Sequence, residues 1–459
     1  MRQLLLASSL SSLVLAQSGP ATVQRWPAQG ATRVNPDTHI VLTFPAPPAV
    51  GTSGQIRVYD SATRALVDTL DLAVPPKEQL AVIGGFTEGF HFYPVLVRDR
   101  TATITLHPHV LTYGKRYEIE IDPGAIVADG FQGIGAANRW TFTTRAAPPP
   151  ARQRVVVAAD GTGDFNTLQG AIDAVPDSPA GRVTIFIRRG RYEEIVYLRH
   201  KANLTFEGED RAGVVIGYAN NELFNGPPTG VPTNEKPGTF PYRRAAFAVD
   251  RSTAIHVTNL TIANFTPRGG SQAEALLLSG GQHIVSRVTL TGHQDTLQVN
   301  DAAYIEDSDI EGDTDFLWGR GPAYFTRTTL RQLSATSPFM WVRSTSASHG
   351  FVFVGCRFET PAVASGAPLL ARNTANYPNS EVVLIDSRIG AIDPAAWSLA
   401  GDTSQQHYWE FNSRNLDGTP VDVTRRHPAS RQLDAIRDAA TITQYRDPAW
   451  VLGWKPQRR

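Results

Sequence analysis

Two short stretches of the chain place aspartates at matching positions. Residues 289–297 read Thr-Leu-Thr-Gly-His-Gln-Asp-Thr-Leu, and residues 309–317 read Asp-Ile-Glu-Gly-Asp-Thr-Asp-Phe-Leu, so that Asp295 aligns with Asp315. If each stretch is one coil of a stacked-strand solenoid, the two side chains lie one above the other, about 4.8 Å apart along the stack. Ionisation of one carboxylate then disfavours ionisation of the other and separates their pKa values. This arrangement suits an acid/base paired with a nucleophile or a second base.

The same alignment extends along the chain and predicts the fold. Six segments end on an apolar residue at positions 262, 290, 310, 330, 358 and 389, which gives intervals of 28, 20, 20, 28 and 31. Short β-branched strands and polar turns at such a period are typical of a solenoid in which each coil covers its neighbour. The amphipathic runs of ten or more residues that helical repeats need are missing from these segments. We therefore predict an all-β, single-stranded parallel β-helix, with irregular loops where the intervals lengthen.

A separate unit precedes the solenoid, over residues 20–145. Short strands separated by Pro, Gly and Asp turns are predicted at residues 40–44, 56–59, 102–106, 117–121 and 140–144. This spacing favours a small β-sandwich. With Leu111-Thr-Tyr-Gly114, Ala128-Asp-Gly130 and the closing Trp-Thr-Phe-Thr-Thr strand, the unit resembles bacterial Ig-like domains. It shows no polar constellation, so we interpret it as a spacer or adhesion module. A Pro-rich linker at 146–152 separates it from a second domain at 153–459.

The N-terminus and the composition bear on location and partners. Residues 1–16 run from Met1-Arg2 through an apolar stretch to Ala16, as in a signal peptide cleaved near that residue, so a secreted or periplasmic protein is expected. The lone cysteine, Cys356, can form no intrachain disulfide. With 43 basic and 43 acidic residues there is no net charge to steer the protein to nucleic acid. No later apolar run is long enough for membrane insertion, and a monomer is expected.

The second domain opens with a strand, a Gly-rich turn and a short amphipathic helix over residues 167–175, which we expect to cap the open end of the solenoid. An ordered motif series follows: Gly190-Arg-Tyr-Glu-Glu194, Gln272-Ala-Glu-Ala-Leu276, Gln294-Asp-Thr-Leu297, Asp315-Phe-Leu-Trp-Gly319 and Leu370-Ala-Arg372. Over about residues 153–435 this series resembles that of the pectinesterases (pectin methylesterases). The resemblance implies a right-handed parallel β-helix, in agreement with the repeats.

The resemblance also implies roles for individual residues. Asp315 would be the nucleophile on a galacturonate methyl ester, and Asp295 the general acid and then base. Gln294 and Gln272 would donate hydrogen bonds to the oxyanion, and Arg372 would hold Asp315 ionised. A further set of aromatic residues would bind the sugar: Trp318 by the resemblance, with Tyr377 or Trp397 as substitutes. The substrate partner would be methylated homogalacturonan, and no metal or organic cofactor is called for.

One departure and several alternatives stay open at this stage. The family's arginine motif usually continues with Pro-Trp, whereas Arg372 is followed by Asn373-Thr374, which puts the substrate in question more than the ester chemistry. Each of Asp295 and Asp315, taken singly, could instead have a structural role, because aspartates often cap the turns of a β-solenoid. Residues 220–244, rich in Pro, Gly and Asn, are predicted to overhang the groove as a loop.

The alternatives for function come from three classes. An esterase or thioesterase on another substrate would keep the same aspartates. A non-catalytic polysaccharide-binding β-helix would not need them. A polysaccharide lyase or glycoside hydrolase could use the same scaffold, because fold alone does not determine chemistry. A lyase, however, would typically need clustered carboxylates to bind calcium and a basic residue to accept a proton.

Overall fold

The computed structural model describes residues 22–227, 242–361 and 366–457. The predicted signal peptide lies outside these residues, as do residues 228–241 of the loop predicted over 220–244. Two β-rich units follow one another along the chain, a sandwich of short antiparallel strands and a long parallel solenoid. In the part of the chain that is described, no helix is long and apolar enough to cross a membrane.

The first unit is a two-sheet sandwich. One sheet has the order β1-β3-β10-β9 and the other β2-β13-β11-β5-β6, with antiparallel pairing except between β2 and β13. Its core forms because alternate residues point inward; Ile40 and Leu42 of one sheet face Ile56 and Val58 of the other. The strands are β1 (Gln24–Trp26), β2 (Ala31–Val34), β3 (Ile40–Thr43), β4 (Ala49–Val50), β5 (Gln55–Asp60), β6 (Leu66–Asp71), β7 (Leu80–Ala81), β8 (Phe90–His91), β9 (Val95–Arg98), β10 (Thr101–Ile104), β11 (Arg116–Ile121), β12 (Ile126–Val127) and β13 (Trp140–Thr144).

The second unit is a solenoid of short strands. They are β14 (Arg154–Val157), β15 (Val183–Ile187), β16 (Gly190–Glu193), β17 (Val196–Arg199), β18 (Leu204–Gly208), β19 (Val214–Tyr218), β20 (Phe247–Asp250), β21 (His256–Thr258), β22 (Thr261–Asn264), β23 (Leu276–Leu278), β24 (His283–Ser286), β25 (Thr289–Thr291), β26 (Leu297–Val299), β27 (Ala303–Glu306), β28 (Asp309–Gly312), β29 (Leu317–Gly319), β30 (Ala323–Thr326), β31 (Thr329–Gln332), β32 (Met340–Val342), β33 (Phe351–Val354), β34 (Arg357–Glu359), β35 (Ala371–Arg372), β36 (Glu381–Ile385), β37 (Arg388–Ile389), β38 (Trp397–Ser398), β39 (His407–Phe411), β40 (Arg414–Asn415) and β41 (Arg431–Gln432).

These strands form three parallel sheets that run the length of the solenoid. Sheet 1 has the order β14-β15-β18-β21-β24-β27-β30-β33-β36-β39-β41, sheet 2 β16-β19-β22-β25-β28-β31-β34-β37-β40, and sheet 3 β17-β20-β23-β26-β29-β32-β35-β38. In sheet 2 the residues that end the six aligned segments pair in one column, from Ile262 through Leu290 and Ile310 to Ile389. The predicted parallel β-helix is confirmed, and so is its register.

One helix caps the start of the solenoid, one lies against the sandwich, and two near the C-terminus pack on the outer face of sheet 1. They are α1 (Leu168–Ala174), α2 (Glu222–Asn225), α3 (Ala439–Tyr445) and α4 (Pro448–Leu452), with short 3-10 turns at Pro76–Glu78, Ala136–Asn138 and Tyr242–Arg244. Helix α1 begins at the N-cap Thr167, whose side chain accepts a hydrogen bond from the Gly170 N–H. Its buried Leu168 and Ile172 join the solenoid core, as the predicted cap requires.

The sandwich and the solenoid are not joined by the linker alone, because they share one hydrophobic cluster. Phe90 of the sandwich packs against Tyr197 at a ring separation of 5.2 Å, and Tyr93 stacks on Phe224 of α2 at 4.7 Å. Leu277 of sheet 3 belongs to the same cluster. The sandwich therefore covers the outer face of the first strands of sheet 3, beside the coils that follow.

Polar groups reinforce this domain interface. Asp37 of the sandwich accepts hydrogen bonds from the N–H groups of Asn166 and Thr167 at the start of α1. Glu194 of the solenoid accepts the next two, from Leu168 and Gln169, so that carboxylates from both units satisfy the N-terminus of one helix. Burial raises the pKa of Glu194 to about 7, against the lowering effect of the two N–H donors.

Candidate active site

The two aspartates singled out from the sequence lie where the chain turns from sheet 2 into sheet 3. Asp295 comes just before β26 and Asp315 just before β29, and these strands pair with Leu297 opposite Leu317. The Asp295 N–H also donates to the Thr314 carbonyl at 3.1 Å. Both aspartates have left-handed backbones, with φ of 68° and 46°. Aspartate tolerates this conformation better than most residues, and backbone strain of this kind clusters at functional sites. The solenoid thus stacks the two residues one coil apart.

Arg372 holds Asp315 from the end of β35. Its Nε lies 3.0 and 2.9 Å from the two carboxylate oxygens, and its Nη2 lies 2.5 Å from Oδ2. The Asp315 side chain is 3% exposed and that of Arg372 34%. Such a planar contact fixes the orientation of the carboxylate and favours its ionised form.

The two glutamines lie in successive coils, and Gln294 directly precedes Asp295 in the chain. The N–H of Ala273, the residue after Gln272, donates to the Gln294 carbonyl at 3.1 Å, so that Gln272 lies one coil before Gln294. Both side chains are half-buried. The side-chain oxygen of Gln272 accepts a hydrogen bond from the Ser271 hydroxyl at 2.8 Å, which directs its amide N–H groups elsewhere. Sequence spacing alone did not place Gln272, because it falls in a lengthened interval.

A buried charge cluster beside Asp295 was not predicted. Arg244 donates from Nη2 to Asp295 Oδ2 at 2.8 Å and to Glu274 Oε1 at 2.6 Å. Its Nη1 reaches Glu222 of α2 at 2.8 Å. The side chains of Arg244 and Glu274 are 1% and 0% exposed. A signal was present in the sequence, since a glutamate beside the apolar run at 275–278 needs a buried partner, but nothing there identified the partner as Arg244.

The surroundings of the two aspartates separate their proton affinities. Burial raises the pKa of Asp295 well above its ordinary value; Arg244 opposes this, while Glu274 and Asp315 add to it. Burial also raises the pKa of Asp315, but the hydrogen-bonded guanidinium of Arg372 opposes this rise. Asp295 shares its arginine with two glutamates, whereas Asp315 has the contacts of Arg372 to itself. Asp295 is therefore the carboxyl that retains a proton to higher pH.

Register decides which of the predicted aromatic residues border the site. In sheet 3, Trp318 pairs with Trp341 on the outward column, and Trp397 pairs with Ala371 on the inward one. Trp397 is 1% exposed within the solenoid core, so the sugar-binding role predicted for it is wrong. A shift of one residue along the strand would have turned it outward.

The remaining aromatic residues form a group with arginines. The half-buried ring of Trp341 lies 3.7 Å from the guanidinium carbon of Arg372 and 3.6 Å from that of Arg343. Tyr377 contacts Trp341 edge-on at 5.9 Å and is 7% exposed. Trp318 is 1% exposed and lies beneath Arg343, which leaves little of its ring for a sugar. Of this group, Trp341 offers the most accessible ring beside the nucleophile candidate.

The Asn373-Thr374 departure has a structural reason. Asn373 is buried, and its side-chain amide donates to the Tyr377 carbonyl at 2.9 Å. The Thr374 carbonyl accepts from the Tyr377 N–H at 3.1 Å. These two residues therefore build the turn that brings Tyr377 against Trp341.

Comparisons with known proteins agree with this architecture. The family model described as Pectinesterase matches residues 154–427, and the one described as Bacterial Ig-like domain matches residues 16–144. Pectinesterase 2 of Olea europaea is 31% identical over 339 residues, covering 71% of this chain and 87% of that protein. A pectinesterase of Ralstonia solanacearum is 31% identical over 346 residues, covering 63% of this chain and 84% of that protein.

Solved structures share the fold at lower identity. Pectin methylesterase from carrot is 21% identical with a TM-score of 0.55, covering 65% of this chain and 92% of its own. Pectin methylesterase PemA from Erwinia chrysanthemi is 21% identical with a TM-score of 0.52, covering 68% of this chain and all of its own, 100%. Fold and family together define a carboxylic ester hydrolase on a parallel β-helix. The chain belongs to the pectinesterase family, and an Ig-like domain precedes its pectinesterase domain.

Proposed function

We propose that this enzyme hydrolyses the methyl esters of galacturonate residues in pectin, giving methanol and pectate, with Asp315 as nucleophile. The observation that carries the proposal is the stacked pair of buried aspartates: Asp315 is held by a planar arginine contact, and burial raises the pKa of Asp295 well above its ordinary value. The family assignment and the relatives named pectinesterase support the substrate.

The chemistry follows from the geometry in two halves. The ionised carboxylate of Asp315 attacks the ester carbonyl carbon, and the side-chain amides of Gln272 and Gln294 donate hydrogen bonds to the resulting oxyanion. As the C–O bond to the methoxy group breaks, Asp295 gives its proton to the leaving oxygen and methanol departs. Arg244 holds Oδ2 of Asp295, so Oδ1 is the oxygen that can carry this proton.

The second half restores the enzyme. Galacturonate is now bound to Asp315 as an anhydride, and Asp295 is ionised. Asp295 takes a proton from water, and the hydroxide attacks the anhydride carbonyl that came from the ester. The anhydride bond breaks, and Asp315 regains its carboxylate while Asp295 keeps the proton that it took from water. The product leaves as galacturonic acid, which then loses its own proton to the solvent. Asp315 thus attacks in the first half and leaves in the second, while Asp295 donates a proton in the first half and accepts one in the second. These roles require the two carboxyl groups to have different pKa values.

Arginine–aromatic contacts support an anionic carbohydrate as the substrate. Arg343 and Arg372 stack on the half-buried ring of Trp341, so the accessible part of this ring lies beside two positive charges that suit the carboxylates of a sugar chain. We propose Trp341, with Tyr377 behind it, as the sugar-contacting surface in place of Trp397. Trp318 is proposed to support the two buried arginines above it.

Export of the enzyme belongs to the same proposal. The apolar stretch before Ala16 supports it. N-terminal sequencing of protein recovered from the culture medium or periplasm tests it: a start near Gln17 is expected, and a mature protein that retains Met1 would contradict it.

The test of function compares methanol release from highly methylated pectin by wild-type protein and by Asp315→Asn. Asp309→Asn is the matched control, because Asp309 lies in the same coil but is 41% exposed and pairs with Arg211. We expect methanol from wild type and from Asp309→Asn, and a loss of at least about a thousandfold in Asp315→Asn. Unsaturated products, followed by absorbance, would instead indicate a lyase.

A second candidate, an esterase or thioesterase on another substrate, is favoured by one observation. The segment after Arg372 carries Asn373-Thr374 and presents Tyr377, so the surface beside the nucleophile differs from the family's usual one. If pectin yields no methanol while small aryl acetates or acyl thioesters are cleaved by wild type and not by Asp315→Asn, the site is an esterase and the pectin assignment fails.

A further inference from the structure

Asp295 is surrounded by more charge than a simple acid/base pair needs. Asp315 and Arg343 face it from the following coils, and Arg244 contacts it from the 3-10 turn before β20. Arg244 in turn binds Glu274, which precedes β23, and Glu222, which lies on α2. These groups come from five separate segments of the chain, so their convergence depends on the tertiary fold.

A single arginine at this position would work against an acid. A guanidinium 2.8 Å from a carboxyl oxygen favours the ionised form, so Arg244 alone would draw the proton off Asp295. Without this proton, Asp295 could not protonate the departing methoxide.

The two glutamates change that balance. Glu274 takes three hydrogen bonds from Arg244, two from Nε at 3.0 and 2.9 Å and one from Nη2 at 2.6 Å, while Asp295 takes one. Glu222 takes another, at 2.8 Å. Burial raises the pKa of Glu274, and the charge and hydrogen bonds of Arg244 oppose this rise. With both glutamates ionised, the group of Arg244, Glu274 and Glu222 carries one net negative charge, and a negative neighbour favours the protonated form of Asp295.

We propose that Arg244, Glu274 and Glu222 form a positioning cluster for Asp295, in which the glutamates neutralise the arginine so that it orients the acid without removing its proton. The proposal rests on the proposed function, since it assigns Asp295 the role of acid. None of the three residues touches the reacting atoms; they act through Asp295. The fully buried state of Arg244 and Glu274 keeps water from screening these charges.

If the cluster controls the pKa of Asp295, its effect can be measured in the pH dependence of kcat/KM. Activity requires protonated Asp295, so the rate falls on the alkaline side as that proton is lost. Replacing Glu274 by glutamine removes a negative charge that contacts the same arginine nitrogen as Asp295. The pKa of Asp295 then falls, and the alkaline limb of kcat/KM moves to lower pH by about one pH unit or more.

The experiment measures methanol release from pectin as a function of pH by wild type, Glu274→Gln, Glu222→Gln and a control. Glu222 is 29% exposed, so Glu222→Gln is expected to fold readily and to shift the alkaline limb in the same direction by a smaller amount. The control is Glu410→Gln. Glu410 lies on sheet 1, away from the site, and its substitution removes a similarly buried ion pair with Arg426. A structural effect alone would leave the limb of all variants in place.

The outcomes separate the two proposals. An alkaline limb that moves down in Glu274→Gln and Glu222→Gln and stays in Glu410→Gln supports the cluster. If Glu274→Gln does not fold, the shift in Glu222→Gln decides alone. Active variants whose limb matches that of wild type would overturn the cluster and leave the esterase intact, whereas absence of methanol from wild type would refute the proposed function instead.

Discussion

The contact of Arg372 with Asp315, the proposed nucleophile, gives the most quantitative prediction. In Arg372→Met the buried Asp315 loses all three nitrogen contacts. A hydrogen bond to a charged group contributes about 1.5–3 kcal/mol, but Arg372 is 34% exposed and solvent screens part of this. We take about 3 kcal/mol for the whole contact, which corresponds to roughly a hundredfold loss of kcat/KM near neutral pH.

The direction of the pH dependence follows from the sign of the change. Without Arg372 the pKa of Asp315 rises further above its ordinary value, because burial is then less opposed. The nucleophile must be ionised, so the acid limb of the profile moves to higher pH and the loss is larger at pH 5 than at pH 8. Arg372→Lys keeps the charge but not the planar contact, and we expect roughly a tenfold loss.

The assay is initial-rate methanol release from pectin across this pH range. Arg331→Met serves as a matched control, because Arg331 lies on the next coil in an ion pair with Glu359 that is largely exposed and is expected to contribute little. Activity of Arg372→Met within threefold of wild type would refute the reasoning. A hundredfold loss with an unmoved acid limb would show that Arg372 contacts the substrate and does not act through Asp315.

Three further predictions concern the fold and the surface around the site. Burial raises the pKa of Glu194 to about 7, so the stability that its protonated form contributes is fully present below about pH 4.5 and is lost as the pH rises through 7. The Tm of Glu194→Gln should therefore fall less between pH 5 and pH 8 than the Tm of wild type. Equal falls in Tm would contradict this prediction. Removal of the Ig-like domain up to residue 150 exposes Tyr197, Tyr218 and Phe224, each of which contributes about 1.5–3 kcal/mol through burial. The solenoid alone should therefore lose solubility or Tm, whereas an unchanged Tm and activity would favour the spacer interpretation. Trp341→Ala should raise KM for pectin about tenfold with kcat little changed, a split that titration with pectin fragments can check and that an unchanged KM would refute.

The interface between the domains ties the N-terminal unit to the solenoid beside the candidate site. Its cluster includes Tyr197 and Leu277, which point outward from the same sheet whose later strands carry Trp318 and Trp341. Helix α2 is fastened to it as well, since the side chain of Asn225 exchanges hydrogen bonds with the His91 backbone at 2.8 and 2.9 Å. The same helix presents Glu222 to Arg244. The Ig-like domain thus supports one element of the charge cluster beside Asp295.

The sequence by itself determined what repeats. Coils of a solenoid contact only their neighbours, so a periodic pattern of apolar residues specifies both the strands and their register. This is why the column from Ile262 to Ile389 and the stacking of Asp295 over Asp315 could be predicted from spacing. The motif series added Arg372, whose contact with Asp315 spans 57 residues and has no counterpart in the periodic pattern.

The tertiary structure decided what lies between the repeats. Arg244 and Asp295 are 51 residues apart and meet because each precedes a strand of sheet 3, two coils apart in the stack. The unequal lengths of the intervening coils hide this alignment from a search for a sequence period. Trp397 was predicted to face a sugar and is buried, because one residue of register in a two-residue strand reverses the side on which a side chain lies. Local pattern determines the coils of this enzyme, whereas the aromatic surface beside Asp315 and the charges around Asp295 depend on packing between segments distant in sequence.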